Sequence, residues 1–228
     1  MIGVLIPAHN EEDCLAACLE AVLRAARHAG LRGQAVTVVV ALDACTDRSE
    51  QLAAAYPVTT LRLDVRNVGM ARAAAAVALL DAGAEWLACT DADTIVSEDW
   101  LYQQLKLRDE SGAEAVCGTV CVLDWTPHLA RLQMLLQRFH AVYTDSDGHS
   151  HIHGANFGVS AQAYRRAGGF QALACSEDVA LVQALHASGA RIAWSAAPRV
   201  LTSARIASKA RGGFGDTLHA WSLSLPPG

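Results

Sequence analysis

Apolar segments of strand length alternate with segments of helical period through the first 93 residues, and each strand ends in polar residues. Ile2–Ile6 is a β-branched apolar run that stops at Pro7. NEEDCLAACLEAVLRAARHAG follows as a helix, with Asn10 as its cap, acidic residues in its first turn and Gly30 as its stop. AVTVVVAL is a second strand closed by Asp43, TDRSEQLAAAY a short helix capped by Thr46, and VTTLRLD a third strand. GMARAAAAVALLDAG is a helix ending at Gly83, and EWLACT is a fourth strand that runs into Asp91. Continuous apolar strands interleaved with helices belong to a parallel sheet covered on both faces. The expected class is α/β, a Rossmann-like, mostly parallel, twisted sheet with helices on both faces. In such sheets ligands collect beyond the carboxyl ends of the strands. Pro7–Glu11, Asp43–Asp47, Arg66–Arg72 and Asp91–Asp93 all fall there.

After residue 94 the rhythm changes. Ser97–Arg108 reads as a capped helix, AEAVCGTVCVL as a strand of alternating character and HLARLQMLLQRFHAVY as an amphipathic helix. TDSDGHSHIHG is a polar loop, ANFGVS a short strand and AQAYRRAG a helical turn. SEDVALVQALHASGA is a helix, and RIAW and RVLTS are strands. The tail from Arg205 is basic and glycine-rich. With no internal repeat or low-complexity linker, one domain over 1–228 is expected, residues 1–93 forming a nucleotide-binding half and 94–228 an acceptor half.

Composition narrows the function classes. Hydrophobic residues make up 52% and charged residues 18%, which suits a packed globule rather than a disordered chain. The net charge of -5, without a basic stripe, argues against nucleic acid as a partner. Seven scattered cysteines without a Cys-x-x-Cys point to a reducing cytoplasm rather than a disulfide framework. Cys14 and Cys18 share a helix face as small core residues. The start turns acidic too soon for a signal peptide, and no run of about 18 uncharged apolar residues offers a transmembrane helix. Peripheral membrane contact stays open.

The segment LACTDADT raises the main question, since two carboxylates follow a buried strand. Asp91 and Asp93, flanking Ala92, either form a solvated turn or face a cation. Hard oxygen ligands favour Mg²⁺ or Mn²⁺, completed by substrate phosphates. Asp145-x-Asp147 repeats the pattern with no strand to deliver it.

VLIPAHNEE, ALDACTD, NVGMARAAA, CTDADT, HGANFGVSAQAYRRAGGF and SEDVAL occur in the order found in family 2 glycosyltransferases of the GT-A fold. The chain resembles that family from Ile2 to about Arg205. The resemblance implies an inverting transfer of sugar from a nucleoside diphosphate sugar, here a UDP-sugar, to an acceptor hydroxyl, with a divalent metal (Mn²⁺ or Mg²⁺) as cofactor. It implies that Pro7, Ala8, His9 and Asn10, with Glu11, cradle base and ribose, and that Asp43 touches the base. Arg72 matches a basic residue near the nucleotide, with Arg66 beside it. Asp91, Ala92 and Asp93 match the segment that reaches ribose and metal, Asp91 and Asp93 as the metal carboxylates. Gly154, Ala155 and Asn156 match the acceptor-pocket lining. Asp178 matches the general base, with Glu177 as its neighbour.

The chain also departs from the family pattern. Leu42 replaces the first of the usual two aspartates of the second strand, and the Gln-x-x-Arg-Trp of processive synthases does not occur. Where some relatives bring a late histidine to the metal, this chain has Thr202 and Ser203, with His219 later. Arg205, Lys209 and Arg211 either close over the diphosphate or form a solvated tail. His149, His151 and His153 alternate on one side of an extended segment, as a transition-metal site does, though an acceptor-side loop is the preferred reading. Asp178 has a plainer role too, as an acidic first-turn residue after Ser176. Two rival functions stand beside glycosyl transfer. A sugar nucleotidyltransferase carries a Gly-rich, basic loop after the first strand, whereas PAHNEED is acidic. A non-catalytic sugar-nucleotide binder would have lost the Asp-x-Asp or the base, and both are present.

Overall fold

Strand β1 (Ile2–Ala8) lies at the centre of the fold and is buried almost throughout. Its side chains alternate between two apolar cores. Ile2, Val4, Ile6 and Ala8 join one core, and Leu5 joins the other. The computed structural model describes residues 1–122, 125 and 132–203. The elements continue with α1 (Leu15–Ala25), β2 (Val36–Asp43), α2 (Ser49–Ala53), β3 (Thr59–Leu63), α3 (Val68–Asp81), β4 (Trp86–Cys89) and β5 (Thr94–Val96). Then follow α4 (Trp100–Ser111), β6 (Ala115–Gly118), β7 (Cys121–Val122), α5 (Leu132–Val142), β8 (Phe157–Ser160), α6 (Ala161–Arg166), α7 (Glu177–Ala187), β9 (Ile192–Ser195) and β10 (Val200–Thr202).

Seven strands form one sheet in the order β3-β2-β1-β4-β8-β6-β9. β1 pairs in parallel with β2 and β4, β2 with β3, and β6 with β9. β8 runs antiparallel to both β4 and β6. The mostly parallel α/β sheet expected from the sequence is thus present, with one reversed strand. Helices α1 and α4 pack on one face, and α3, α6 and α7 on the other. The chain winds outward from β1 to β3 and then crosses to β4 on the other side, so the carboxyl ends of β1 and β4 flank a topological switch point.

Several boundaries differ from the sequence reading. Helix α1 begins at Leu15, not after Asn10, and has no acidic first turn. Asn10 instead turns the chain at φ +54°, and its Oδ1 accepts the Thr46 N–H at 2.7 Å. The Thr46 hydroxyl also turns to Asn10 Oδ1, at 3.3 Å, rather than to a helix, and α2 begins at Ser49 without a side-chain cap. Helix α1 ends at Ala25, and Gly30 lies in a separate 3₁₀ turn whose Gly30 N–H donates to the His28 ring. Helix α4 starts at Trp100 rather than Ser97. The single strand expected over AEAVCGTVCVL is two. β6 is buried at all four positions, and β7 leaves for a second sheet ordered β5-β10-β7. The break falls after Gly118, where a Cβ would stand 2.2 Å from Asn156 Nδ2.

Asn156 explains that crowding. It is 1% exposed. Its Nδ2 donates to the carbonyls of Thr119 at 2.7 Å and Pro198 at 2.9 Å, and its Oδ1 accepts the indole N–H of Trp100 at 2.9 Å. One amide therefore ties α4 to the segments after β6 and before β10. We expect Asn156→Ala to leave a buried indole N–H and two carbonyls without partners and to destabilise the protein by about 3 kcal/mol or more. Denaturant unfolding measures it, and a loss under about 1 kcal/mol would show the bonds to be replaced by water.

Candidate active site

Four connecting segments meet at the carboxyl edge of the sheet, and three of them follow β1, β2 and β3. Among the described residues, Asn10, Ala44, Arg66 and Ser176 adopt positive φ at these connections, with Arg32 as the other non-glycine case. Such conformations cost on the order of 1 kcal/mol each and collect where a site needs an unusual backbone path. Asp43, at the end of β2, is 5% exposed. Its Oδ1 accepts the N–H groups of Val65 at 2.8 Å and Arg66 at 2.9 Å, and its Oδ2 that of Asn67 at 2.8 Å. Asp43 thus folds the loop after β3, a role the sequence reading did not foresee, and three of its roughly four acceptor positions are taken. Arg66 itself is exposed in this loop.

The β1 exit is equally determined. The His9 ring nitrogen Nδ1 lies 2.7 Å from the Asp43 carbonyl oxygen. A carbonyl only accepts, so Nδ1 is the donor in this bond. Pro7 is half-buried and Ala8 buried in β1. Glu11 is buried, and its N–H donates to Ser49 Oγ at 2.8 Å.

Arg72, in the first half of α3, is 2% exposed, and its guanidinium is met by protein partners. Its Nη2 donates to Asp91 Oδ1 at 2.5 Å, its Nη1 to the Gly154 carbonyl at 3.2 Å, and its Nε to Glu177 Oε1 at 2.9 Å. The Phe170 ring lies 5.9 Å from its guanidinium carbon. Burial works against the charge on Arg72, but Asp91 and then Glu177 outweigh it and hold its pKa above the ordinary arginine value. Burial raises the Glu177 carboxyl despite the pull of Arg72. Glu177 is therefore enclosed. Asp178 beside it is half-buried, with Oδ2 accepting the Gly154 N–H at 2.7 Å and Oδ1 the Val179 N–H at 2.8 Å.

Asp91 and Asp93 are both half-buried at the β4 exit, and Ala92 between them is buried. Both carboxylates bear on the Cys18 thiol, whose pKa is raised by burial first and then by Asp93 and Asp91. Asp91 has one oxygen on Arg72, and Asp93 Oδ1 accepts the Thr94 hydroxyl at 3.4 Å. One or two carboxylates are what Mg²⁺ or Mn²⁺ takes from protein when phosphates supply the rest, so the pair fits such an ion. Thr202, on β10, lies opposite Thr94 and accepts its hydroxyl at 3.1 Å, which brings the late strand beside Asp93. Among the described residues no group of three or more His, Cys, Asp or Glu gathers to hold an ion.

The acceptor-side expectations divide. Gly154 borders Arg72 and Asp178 through the bonds above, whereas Ala155 is buried in the apolar core of α1 and α4 and Asn156 faces into the body. Arg205, Lys209, Arg211 and His219 lie outside the described residues. The three histidines do not form a metal site. The Thr144 N–H donates to His151 Nε2 at 2.9 Å. The Tyr143 hydroxyl accepts the Val120 N–H at 2.7 Å and lies 3.0 Å from His153 Nε2, within hydrogen-bond reach. Tyr143 and His151 stack with centroids 4.0 Å apart. Asp145 and Asp147 pin the same loop. Asp145 accepts from Thr119 at 2.6 Å and Arg199 at 2.5 Å, and Asp147 from Ser195 at 2.7 Å.

This loop predicts a pH response. Burial, then His151 and His149, lower the His153 pKa from 6.5 to about 3. The unfolded chain takes up the proton near pH 6.5 and the folded protein only near 3, so stability present above 6.5 is lost as pH falls through that window. The slope is about 1.4 kcal/mol per pH unit for one proton. His153→Gln keeps an acceptor for Tyr143 and cannot titrate. Unfolding curves between about pH 6.5 and 4.5, above the carboxylate range, should show a shallower fall for the variant. Equal slopes would remove His153 as the cause.

With this geometry the chain has solved relatives. It superposes on S. aureus TarS residues 1–349 in complex with UDP-GlcNAc with a TM-score of 0.68 at 16% identity, covering 93% of this chain and 61% of that one. It superposes on the mannosyltransferase PcManGT of Pyrobaculum calidifontis, in complex with GDP-Man and Mn²⁺, with a TM-score of 0.65 at 20% identity, covering 96% and 59%. The chain thus spans about three fifths of the length of these structures. Among curated proteins none matches the sequence. Residues 3–168 match the family described as glycosyl transferase family 2, and these residues hold every strand of the switch point together with Arg72, Asp91, Asp93 and Gly154. The chain belongs to glycosyl transferase family 2.

Proposed function

We propose that the protein is an inverting glycosyltransferase that moves a sugar from a UDP-sugar to an acceptor hydroxyl. One observation carries this reading. A single guanidinium joins Asp91, at the end of a switch-point strand, to the start of α7, where the half-buried Asp178 stands beside the enclosed Glu177. A strand-end carboxylate pair for the donor diphosphate and a carboxylate base for the acceptor thereby share one site. Family membership supports glycosyl transfer, and the relatives in complex with UDP-GlcNAc and GDP-Man support a sugar-nucleotide donor.

In this reading residues 1–93 bind the donor. The β1 exit from Pro7 to Glu11 cradles base and ribose, with His9 oriented by its Nδ1 bond to the Asp43 carbonyl. Asp43 acts mainly by shaping the loop that carries Arg66. Asp93 and the second oxygen of Asp91 would hold Mn²⁺ or Mg²⁺, which would supply Lewis-acid stabilisation of the departing diphosphate. Residues 94–228 bind the acceptor, with Gly154 at the pocket floor. Asp178 takes the proton of the attacking hydroxyl, and one displacement with one base inverts the anomeric centre. Glu177, enclosed by Arg72, does not serve as that base. All seven cysteines are free, which suits a reducing cytoplasm. Among the described residues no helix is long and apolar enough to cross a membrane.

Three measurements bear on this. Melting temperatures with UDP-, GDP-, dTDP- and CDP-sugars, with and without Mn²⁺, should rise most for a UDP-sugar with metal, and a GDP-sugar in first place would reassign the base. Calorimetry of UDP with Mn²⁺ should show binding in the parent protein and little in Asp93→Ala, and equal affinity in EDTA removes the metal role. Asp178→Asn is nearly isosteric and keeps an acceptor for the Gly154 N–H, so donor binding should persist. Turnover, read as UDP release, should fall by roughly 10²-fold or more. A folded Asp178→Asn protein with parental turnover refutes the base.

A further inference from the structure

Asp178 is held by a backbone amide, and that amide belongs to a residue that is itself held. Gly154 donates its N–H to Asp178 Oδ2 at 2.7 Å and offers its carbonyl to Arg72 Nη1 at 3.2 Å. Arg72 lies directly against this residue, since a Cβ on Gly154 would stand 2.4 Å from Arg72 Nη2. The same guanidinium holds Glu177, the residue before Asp178, at 2.9 Å. The direction in which α7 presents Asp178 is thus set at two points, the Glu177 side chain and the Gly154 amide, and both are anchored on Arg72. Ser176, at φ +59°, gives the backbone turn that starts the helix there. The third partner of Arg72 is Asp91, at the donor end.

Resting on the glycosyltransferase reading above, we infer that Arg72 is a positioning residue, which sets the catalytic carboxylate Asp178 through Gly154 and Glu177 and ties it to the donor-end Asp91. It does not bind the nucleotide. A planar fork with five N–H groups reaches partners in three directions, and a lysine ammonium in the same place keeps the charge but cannot hold all three. The inference therefore separates charge from geometry.

The test is a double-mutant cycle of Arg72→Lys with Asp178→Asn, read as nucleoside diphosphate release from UDP-, GDP-, dTDP- and CDP-glucose with Mn²⁺ and water as acceptor, at saturating donor, with melting temperatures alongside. Arg72→Lys should lower the rate by on the order of 10-fold or more in folded protein, since small misplacements of a reacting group cost up to about 10²-fold. In the Asp178→Asn background it should cost less than about 2-fold more, because residues acting as one unit do not multiply their losses. A purely structural role lowers the melting temperature and leaves the rate of the folded enzyme at the parental value, which overturns the inference. So do losses that multiply in the double variant. If Arg72→Lys does not fold, Glu177→Gln, nearly isosteric, decides by the same two criteria. No release by the parent from any of the four donors counts against the glycosyltransferase reading beneath, and full rate in Asp178→Asn refutes the base and with it the positioning role. A slow Asp178→Asn with an unaffected Arg72→Lys sinks only the positioning role.

Discussion

One buried positive charge constrains the arrangement of this site. Arg72 is 2% exposed, and a guanidinium taken from water must be met by carboxylates and carbonyls or the fold loses several kcal/mol. Its partners come from the β4 exit, the turn before β8 and the start of α7. These segments are far apart in the chain, so satisfying the charge brings the two halves of the protein to one point. Removing one member of such a set costs about 3–5 kcal/mol, because the others stay buried without compensation. Gly154 belongs to the same constraint, since any side chain there would occupy the space of the guanidinium.

The neighbouring strand ends apply a related logic to the backbone. Turning sharply after β1, β2 and β3 places Asn10, Ala44 and Arg66 in left-handed conformations. Each turn would leave main-chain N–H groups without partners, and side chains accept them. Asn10 accepts from Thr46, and Asp43 from Val65, Arg66 and Asn67. Polar side chains that look like ligand contacts in the sequence therefore spend much of their bonding capacity on holding the edge of the sheet open in one shape. Asn156 is the extreme case, with the role of a core cross-link and no face toward the site.

The chain contains two Asp-x-Asp segments, and they differ in what delivers them. Asp91-x-Asp93 leaves a parallel strand at the switch point, with Arg72 on one carboxylate. Asp145-x-Asp147 sits in a loop and fastens it to Thr119, Arg199 and Ser195. The pattern is the same, and the strand ahead of it makes the difference. The spacing of His149, His151 and His153 misleads in a similar way. Period two puts the rings together, and His151 stacks on Tyr143 and accepts the Thr144 N–H while His149 accepts the His151 N–H.

What the sequence determined by itself was the framework. Apolar period and alternation of strand with helix specify a covered parallel sheet, since burial of those runs has few other solutions. Ordered motifs at the strand ends then placed the chain in its family and marked Asp91, Asp93 and Asp178. Local signals failed at α1, α2 and α4, where Asn10, Thr46 and Ser97 look like caps. A cap is recognised by residue type, but whether the side chain turns to its own helix depends on what approaches from elsewhere. Tertiary structure alone decided that Arg72 is enclosed rather than open to ligand, that Glu177 is tied down while Asp178 stands half-buried, and that Asn156 and Asp43 bind their own backbone. Each of these depends on partners 19 to 105 residues away, as for Arg72 with Asp91 and with Glu177, and residue type carries no information about which distant group will arrive.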